Sequence, residues 1–157
     1  MIQLWSSLKG NVMQCKKWII IITAIVLVIV LYFAFNFARG VSYYNRGTAY
    51  MNEEEYDQAI LCFDKAIKIN SRFAEAYCNR GTTYKNKGEY DKAISDYTRA
   101  IEIDPEFAVA YCNRAVVFHS EREYDKAWED VHKAQSLDYQ VPQEFLQSLR
   151  DASGREN

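Results

Sequence analysis

Residues 74–107 read AEAYCNRGTTYKNKGEYDKAISDYTRAIEIDPEF, and the chain contains this segment three times in related form. A shift of 34 residues aligns Asn79-Arg80-Gly81 with Asn45-Arg46-Gly47 and with Asn113-Arg114-Ala115. The same shift superimposes Tyr43, Tyr77 and Tyr111; Tyr50, Tyr84 and Phe118; Tyr56, Tyr90 and Tyr124; Ala59, Ala93 and Ala127; and Ala66, Ala100 and Ala134. Such a fixed period is the signature of a protein built from stacked copies of one small unit.

Within the middle copy, small and apolar residues recur with the spacing of two amphipathic helices, at 77–84 and at 93–101. Between them, Lys87-Gly88-Glu89 predicts a tight turn, since glycine adopts backbone angles that other residues avoid. Asp104-Pro105 marks the next break, because the residue before a proline is driven out of the helical region. Each copy is therefore predicted to be a pair of antiparallel helices, and stacked pairs build one core.

This pattern resembles the tetratricopeptide repeat, whose characteristic residues appear in the middle copy as Tyr77, Gly81, Tyr84, Ala93, Tyr97, Ala100 and Pro105. The resemblance covers about residues 40–141 and implies three repeats, at 40–73, 74–107 and 108–141. It implies an all-α fold, an α-solenoid of helix-turn-helix repeats. In that family, the first helix of each repeat lines a concave groove that holds a partner polypeptide.

An apolar segment precedes the repeats. Residues 19–35 contain only Thr23 as a polar side chain, and about 20 apolar residues suffice to cross the ~30 Å hydrocarbon core. We predict a transmembrane helix at 18–38, since a helix satisfies its own backbone groups in lipid, and a flexible basic leader at 1–17. An interfacial helix with Ile2, Trp5, Leu8 and Val12 on one face is the alternative for the leader, but Gly10 would interrupt it. The alternative is a cleavable signal peptide. The run exceeds the usual length of about 7–15 residues, and no small-x-small site follows it cleanly, which favours an uncleaved signal-anchor.

Charges around this segment predict its orientation. Lys9, Lys16 and Lys17 precede it, whereas Arg39 and Arg46 follow it. The positive-inside tendency then puts the N-terminus in the cytoplasm and the repeats on the far side of the membrane. Unpaired cysteines are typical of a reducing compartment and point the other way. We give the charges more weight, because the cysteines occupy positions typical of a core.

The residues after the third repeat predict a cap for the solenoid. Phe145, Leu146 and Leu149 give residues 142–152 the pattern of a short amphipathic helix. A terminal repeat exposes an apolar face that must be covered, so we expect this helix to pack on the third repeat. The polar residues 153–157 are expected to form a disordered tail.

Composition and motifs disfavour several classes of function. The net charge is −2, so nothing indicates a nucleic-acid partner. Cys15, Cys62, Cys78 and Cys112 form no CxxC pair, which predicts neither a disulfide framework nor a metal site. Neither histidine stands in a metal or nucleophile motif, and the sequence contains no glycine-rich phosphate loop. We therefore expect a protein that is not an enzyme, with no cofactor and no small-molecule substrate.

The strongest candidate for function is the groove that the resemblance implies. An asparagine occupies the same position of every repeat, as Asn45, Asn79 and Asn113. Because an amide is both a donor and an acceptor of hydrogen bonds, such a series can pair with the backbone of an extended peptide. The alternative is that these amides only cap or bridge neighbouring helices. The other predicted groove residues are Tyr44, Cys78, Cys112, Thr48, Thr82, Lys85 and His119.

The groove lacks a device that some relatives use. Members of the family that hold the C-terminal tails of heat-shock chaperones do so with a carboxylate clamp of lysine, asparagine and arginine residues. Of its positions only Asn79 fits here, whereas Tyr44, Thr48, Val109 and Asn113 do not. We therefore do not expect this chain to be a chaperone co-factor of that type.

An arginine follows each asparagine of the series, as Arg46, Arg80 and Arg114. These side chains could contact an acidic ligand. Pairing within the protein, with Asp96, Asp130 or the acidic residues of the turns, is the favoured interpretation.

Together these features predict a single-pass, membrane-anchored adaptor that binds a protein or peptide partner in the groove of its repeats. The alternative, from a different class, is a structural subunit of a membrane assembly, secretion or import complex. In that case the edge of the solenoid, rather than its groove, would pack against the neighbouring subunits.

Overall fold

The computed structural model describes residues 2–154, and the side chains from Lys16 to Gly154. In this range the protein has seven α-helices and no β-strand, which confirms the predicted all-α class. The helices are α1 (Ile2–Asn52), α2 (Tyr56–Ile69), α3 (Ala74–Asn86), α4 (Tyr90–Ile103), α5 (Ala108–Ser120), α6 (Tyr124–Ser136) and α7 (Gln143–Ser153). The chain divides into two compact units, Met1–Ala38 and Arg39–Asn157.

The first unit is helical from Ile2, so the leader that we expected to be flexible is part of α1. Gly10 does not interrupt the helix, because each residue added to an existing helix contributes a hydrogen bond at little further cost. From Lys16 onward, α1 is long and apolar enough to cross a membrane by length and composition. Its large apolar side chains between Trp18 and Phe37 are 47–70% exposed.

The second unit consists of stacked helix pairs. Helix α2 packs on α3, α3 on α4, α4 on α5, α5 on α6, and α6 on α7, while α3 also touches α5. The repeat portion of α1, together with α3 and α5, forms the set that we call the first helices; α2, α4 and α6 are the second helices. Buried alanines, among them Ala59, Ala93 and Ala127, let the helices approach closely.

Small residues of the first helices match the side chains that they face. A Cβ atom added to Gly47 would lie 2.7 Å from Cε1 of Phe63, and one added to Gly81 would lie 3.0 Å from Cε1 of Tyr97. In the third repeat the facing residue is the smaller Val131, and the small residue is an alanine, Ala115. The departure of the third repeat from glycine is therefore balanced by a smaller partner.

The turn inside each repeat uses one backbone conformation three times. Gly88 has φ +77°, and the residues 34 positions before and after it, Glu54 and Arg122, have φ +60° and +63°. The predicted turn at Gly88 is present. Left-handed backbone at Glu54 and Arg122 was not predictable, because neither is a residue that favours it.

Helix α7 lies where a capping helix was predicted. It buries Leu146 and Leu149 in the cluster formed with α5 and α6, and Trp128 Nε1 of α6 donates a hydrogen bond to Ser153 Oγ at 3.1 Å. The tail that we expected to be disordered at 153–157 thus begins inside α7, since Ser153 is the last residue of that helix. Residues 155–157 lie outside the described part of the chain.

Candidate functional site

Two of the three asparagines in the series bridge adjacent first helices. Asn79 Nδ2 donates to Tyr44 Oη at 3.0 Å, and it lies 3.4 Å from Thr48 Oγ1. Asn113 Nδ2 makes the corresponding contact one repeat later, to Cys78 Sγ at 3.7 Å. Each amide therefore reaches back to the preceding repeat, which is the bridging role considered above. Asn45 has no repeat before it and is exposed.

The aromatic and hydroxyl side chains beside the amides are held by the fold. The ring of Tyr44 packs against Phe73 and Phe63, with centroids 5.0 and 6.0 Å apart. Thr48 Oγ1 donates to the carbonyl oxygen of Tyr44 at 3.1 Å, and Thr82 Oγ1 does the same to that of Cys78. These bonds fix the rotamers of the threonines and so give the face of the first helices a defined shape.

The two cysteines predicted to line the groove lie beneath its surface instead. Cys78 is 2% exposed and Cys112 is 5% exposed. Burial raises the pKa of the Cys78 thiol to about 11, although the hydrogen bond from Asn113 opposes the rise. Burial also raises the pKa of Cys112, and the positive charge of Lys85 opposes it. Both thiols are therefore protonated and unreactive near neutral pH.

The predicted groove residue His119 is in contact with the C-terminal helix. Its ring lies 5.8 Å from the rings of both Tyr124 and Phe145, and its Nε2 is 3.3 Å from Ser148 Oγ. Phe145 and Ser148 belong to α7, so this helix contacts His119 of the third repeat as well as capping the core. Lys85, at the same position one repeat earlier, is half-buried.

The arginine series pairs within the protein, as favoured above. Arg80 donates to both carboxylate oxygens of Asp96, from Nε at 2.7 Å and from Nη2 at 2.6 Å. Arg114 forms the same bidentate pair with Asp130, with both distances 2.8 Å. Bidentate pairing is the strong form of this interaction, and the aspartate side chains are only 8% and 5% exposed.

Each of these arginines has a second partner that sequence reasoning missed. Arg80 Nη1 donates to Asp64 Oδ1 at 2.5 Å, and Arg114 Nη1 donates to Thr98 Oγ1 at 2.8 Å. Both acceptors lie on the second helix of the preceding repeat, 16 residues before the arginine, whereas the aspartate lies 16 residues after it. A polar residue 16 positions before each arginine and an aspartate 16 positions after it are visible in the sequence, and this spacing could have predicted both partners.

Burial and charge act against each other in these pairs. Burial disfavours the charged guanidinium of Arg80, but the hydrogen bonds with Asp96 and Asp64 outweigh it and raise the pKa of Arg80. The hydrogen bond with Asp130 raises the pKa of Arg114 in the same way. Burial raises the pKa of both aspartates, and the arginines oppose that rise. The pairs join helices of the fold, so they are not free to take a ligand.

No group of three or more histidine, cysteine, aspartate or glutamate side chains in the described residues could hold a metal ion.

Family comparisons agree with this architecture. Tetratricopeptide repeat models match residues 41–73, 74–107 and 96–129, which together span more than half of the chain. The third match starts inside α4 and ends inside α6, so it straddles the boundary between the second and third repeats. The search of curated proteins gives no match.

Solved structures of similar fold include the Arabidopsis OM64 TPR domain, with 25% identity, a TM-score of 0.65, and coverage of 76% of this chain and 95% of that one. The TPR2B domain of yeast Sti1, solved in its complex with pHsp70, has 26% identity, a TM-score of 0.69, and coverage of 76% and 99%. The second TPR of Spaghetti, bound to the HSP90 peptide SRMEEVD, has 25% identity, a TM-score of 0.63, and coverage of 65% and 94%.

Proposed function

Because the chain belongs to the tetratricopeptide repeat family, we propose that it is a membrane-anchored adaptor that binds a partner polypeptide on the face of its first helices. Similar domains have been solved with bound chaperone peptides, which supports a role in protein interaction. The observation that carries the proposal is the row of Asn45, Asn79 and Asn113. Their side chains reach the surface, while the neighbouring cysteines are buried and the threonines are tied to the backbone.

The amide chemistry determines which part of the partner would be bound. The amide nitrogens of Asn79 and Asn113 are donors to the preceding repeat. An asparagine also has an amide oxygen, which accepts hydrogen bonds. We infer that these oxygens accept hydrogen bonds from backbone N–H groups of an extended peptide. Backbone pairing of this kind gives affinity with little demand on the peptide sequence.

We further propose that the apolar part of α1 spans the membrane once. The large apolar side chains between Trp18 and Phe37 are exposed, whereas a core helix of a soluble protein would bury most of them. A contiguous apolar surface of this extent is rare on soluble monomers and is typical of a membrane or protein contact. The lysines before the segment favour a cytoplasmic N-terminus, with the repeats on the far side.

The test of the adaptor is a triple substitution, Asn45→Ala, Asn79→Ala and Asn113→Ala, in the tagged full chain expressed in its native cells. The matched control is Gln58→Ala, Gln135→Ala and Gln140→Ala, which removes three exposed amides outside the first helices. Proteins labelled by a proximity enzyme fused after Asn157 are quantified for wild type and both variants. Circular dichroism of the purified chains verifies that the repeats remain folded.

We expect the asparagine variant to lose specific partners at least ten-fold while the glutamine control keeps them. Equal labelling in all three chains would overturn the groove as the binding face. If the labelled proteins are unchanged subunits of one membrane complex, the structural-subunit alternative is correct.

Protease treatment of intact cells, with a tag after Asn157, tests the anchor and its orientation. We expect the tag to be cut from outside intact cells, because the repeats are proposed to lie on the far side. A protected tag that fractionates with the membrane would reverse the orientation, and a tag released without detergent would overturn the anchor.

A further inference from the structure

The first repeat has an arginine in the same series as Arg80 and Arg114, but its surroundings differ. The aspartate that would pair with Arg46 is replaced by Cys62, 16 residues after it. The second acceptor is also missing, because residues 1–39, which precede the repeat, contain no aspartate or glutamate. Arg46 is exposed, and its hydrogen bond with Tyr50 raises its pKa. None of the ion pairs found among residues 16–154 involves Arg46, so apart from its hydrogen bond with Tyr50 its guanidinium has no carboxylate partner in that range.

The junction between the first and second repeats shows what an arginine at this position binds. Where α2 packs on α3, two carboxylates of α2 face the second repeat: Asp64 pairs with Arg80, and Asp57 pairs with Lys87. Asp57 and Asp64 are about two helical turns apart, so they lie on one side of α2. Two charged side chains of α2 therefore help to hold the first repeat against the second, in addition to the apolar contacts between them.

The residues equivalent to Arg80 and Lys87 in the first repeat are Arg46 and Glu53. Glu53 is exposed, and its charge is opposite to that of Lys87. We call the surface formed by Tyr43, Arg46, Tyr50 and Glu53 the first-repeat edge. A helix that lies on this edge as α2 lies on α3 must present an acidic side chain to Arg46. About two turns earlier, it must present a basic side chain to Glu53.

We propose that the first-repeat edge docks a helix of a partner protein, and that this helix carries a lysine or arginine seven residues before an aspartate or glutamate. A second copy of this chain does not fit. Its second helices carry an acidic residue at the earlier position, as Asp57, Asp91 and Asp125, and that residue would face Glu53. The inference concerns a surface other than the asparagine face and holds whether or not that face binds peptide.

The probe is a synthetic peptide of the α2 sequence, residues 55–70, held helical by a lactam between side chains introduced at the exposed Leu61 and Lys65. The matched peptide carries Asp57→Lys, which supplies the base opposite Glu53, and keeps Asp64 opposite Arg46. The mismatched peptide keeps Asp57. Both carry Cys62→Ser to prevent disulfides. Fluorescence anisotropy measures binding to the full chain in nanodiscs, with empty nanodiscs subtracted.

We expect the matched peptide to bind about five-fold more tightly than the mismatched one, which is the size expected for exposed charge pairs. Arg46→Glu should weaken matched binding by about ten-fold, and a peptide that also carries Asp64→Lys should restore it. Arg72→Glu, a reversal at an exposed arginine away from the edge, should have no effect. Equal affinity for both peptides, no binding of either, or indifference to Arg46→Glu would overturn the proposal.

Discussion

The first and second repeats are built from the same pair of helices, but they satisfy their polar side chains differently. In the second repeat, Arg80 lies between carboxylates on both sides, Asp64 before it and Asp96 after it. In the first repeat, Arg46 is exposed, and Cys62 stands where the second aspartate would be. Copies of one sequence unit therefore do not have the same environment, because a terminal repeat has a neighbour on one side only.

The asparagine series shows the same difference. Asn79 donates to Tyr44 and so joins the second repeat to the first, whereas Asn45 has no preceding first helix to reach. The asparagine bonds point backward along the solenoid, and so does one of the two contacts of each buried arginine, to Asp64 or to Thr98. The groups that remain available therefore collect on the first repeat. The same substitution at equivalent positions of the two repeats should therefore change the free energy of unfolding by different amounts.

The largest expected difference is between Asp96→Ala and Arg46→Ala. Removing Asp96 leaves the half-buried guanidinium of Arg80 with only the more exposed Asp64. Losing one partner of a buried pair typically costs about 3–5 kcal/mol, and the remaining pair with Asp64 should hold the cost to about 2–3 kcal/mol. Arg46→Ala removes an exposed side chain and should change the free energy of unfolding by less than about 0.5 kcal/mol. Urea unfolding of the purified chain, followed by circular dichroism, measures both.

Cys62→Asp extends that test by giving the first repeat the missing aspartate. If the comparison of the repeats is right, this substitution should lower the exposure of Arg46 and make Arg46→Ala costly in the double variant. A double variant as stable as Cys62→Asp alone would mean that the two repeats differ in more than this one residue.

The next largest effect is expected from alanine at the two packing glycines. A Cβ at Gly47 meets Phe63 Cε1 at 2.7 Å, and one at Gly81 meets Tyr97 Cε1 at 3.0 Å. Overpacking costs about 1–3 kcal/mol, and the higher helix propensity of alanine returns about 1 kcal/mol. We expect Gly47→Ala to destabilise the protein by about 1–2 kcal/mol, as measured by urea midpoints. Gly81→Ala should cost less, about 1 kcal/mol, because its contacts are longer but include the main-chain oxygen of Ala93 at 3.2 Å, which cannot rotate away. Equal effects would show that Phe63 can move aside as readily as Tyr97.

Periodicity explains how much of this architecture the sequence predicts. The helix pairs, the turn at Gly88 and the pairing of Arg80 with Asp96 all lie within one repeat, so the spacing of residues reveals them. Asp64 and Thr98 were missed because they act across a junction, from the repeat before. The contact of α7 with His119 was missed because α7 lies outside the repeat pattern.

Burial depth was the other limit of the sequence reasoning. Cys78 and Cys112 directly precede Asn79 and Asn113, but one residue turns a helix by about 100°, so the two cysteines point into the packed clusters instead. A helix in the leader was the disfavoured alternative because Gly10 interrupts its apolar face, yet α1 runs through Gly10. Whether the predicted groove residues bind a partner remains a prediction.

A smaller effect is expected at the asparagines. Asn79→Ala removes a partly buried hydrogen bond to Tyr44, which is worth about 1 kcal/mol. Asn45→Ala removes an exposed side chain and should be neutral within about 0.5 kcal/mol. If both substitutions weaken the binding of the partner while only the first lowers stability, the two roles of the series are separated. A stable Asn79→Ala variant would show that the bridge to Tyr44 contributes little.

The smallest effect is expected at the turns, where the second repeat has the glycine that the first repeat lacks. Glu54 and Gly88 adopt the same left-handed backbone, with φ +60° and +77°. An L-residue with a side chain loses about 1–2 kcal/mol in this conformation, and glycine loses about 0.5–1 kcal/mol of chain entropy on folding. Glu54→Gly should therefore stabilise the protein by about 0.5 kcal/mol, and Gly88→Ala should destabilise it by a similar amount, as urea midpoints would show.

The added Cβ at Gly88 meets no atom within 4 Å among the described residues, so any loss of stability in Gly88→Ala reports the backbone alone. Glu54 is exposed and outside the proposed docking surface, so a loss of stability in Glu54→Gly would mean that its side chain stabilises the turn by more than its backbone conformation costs.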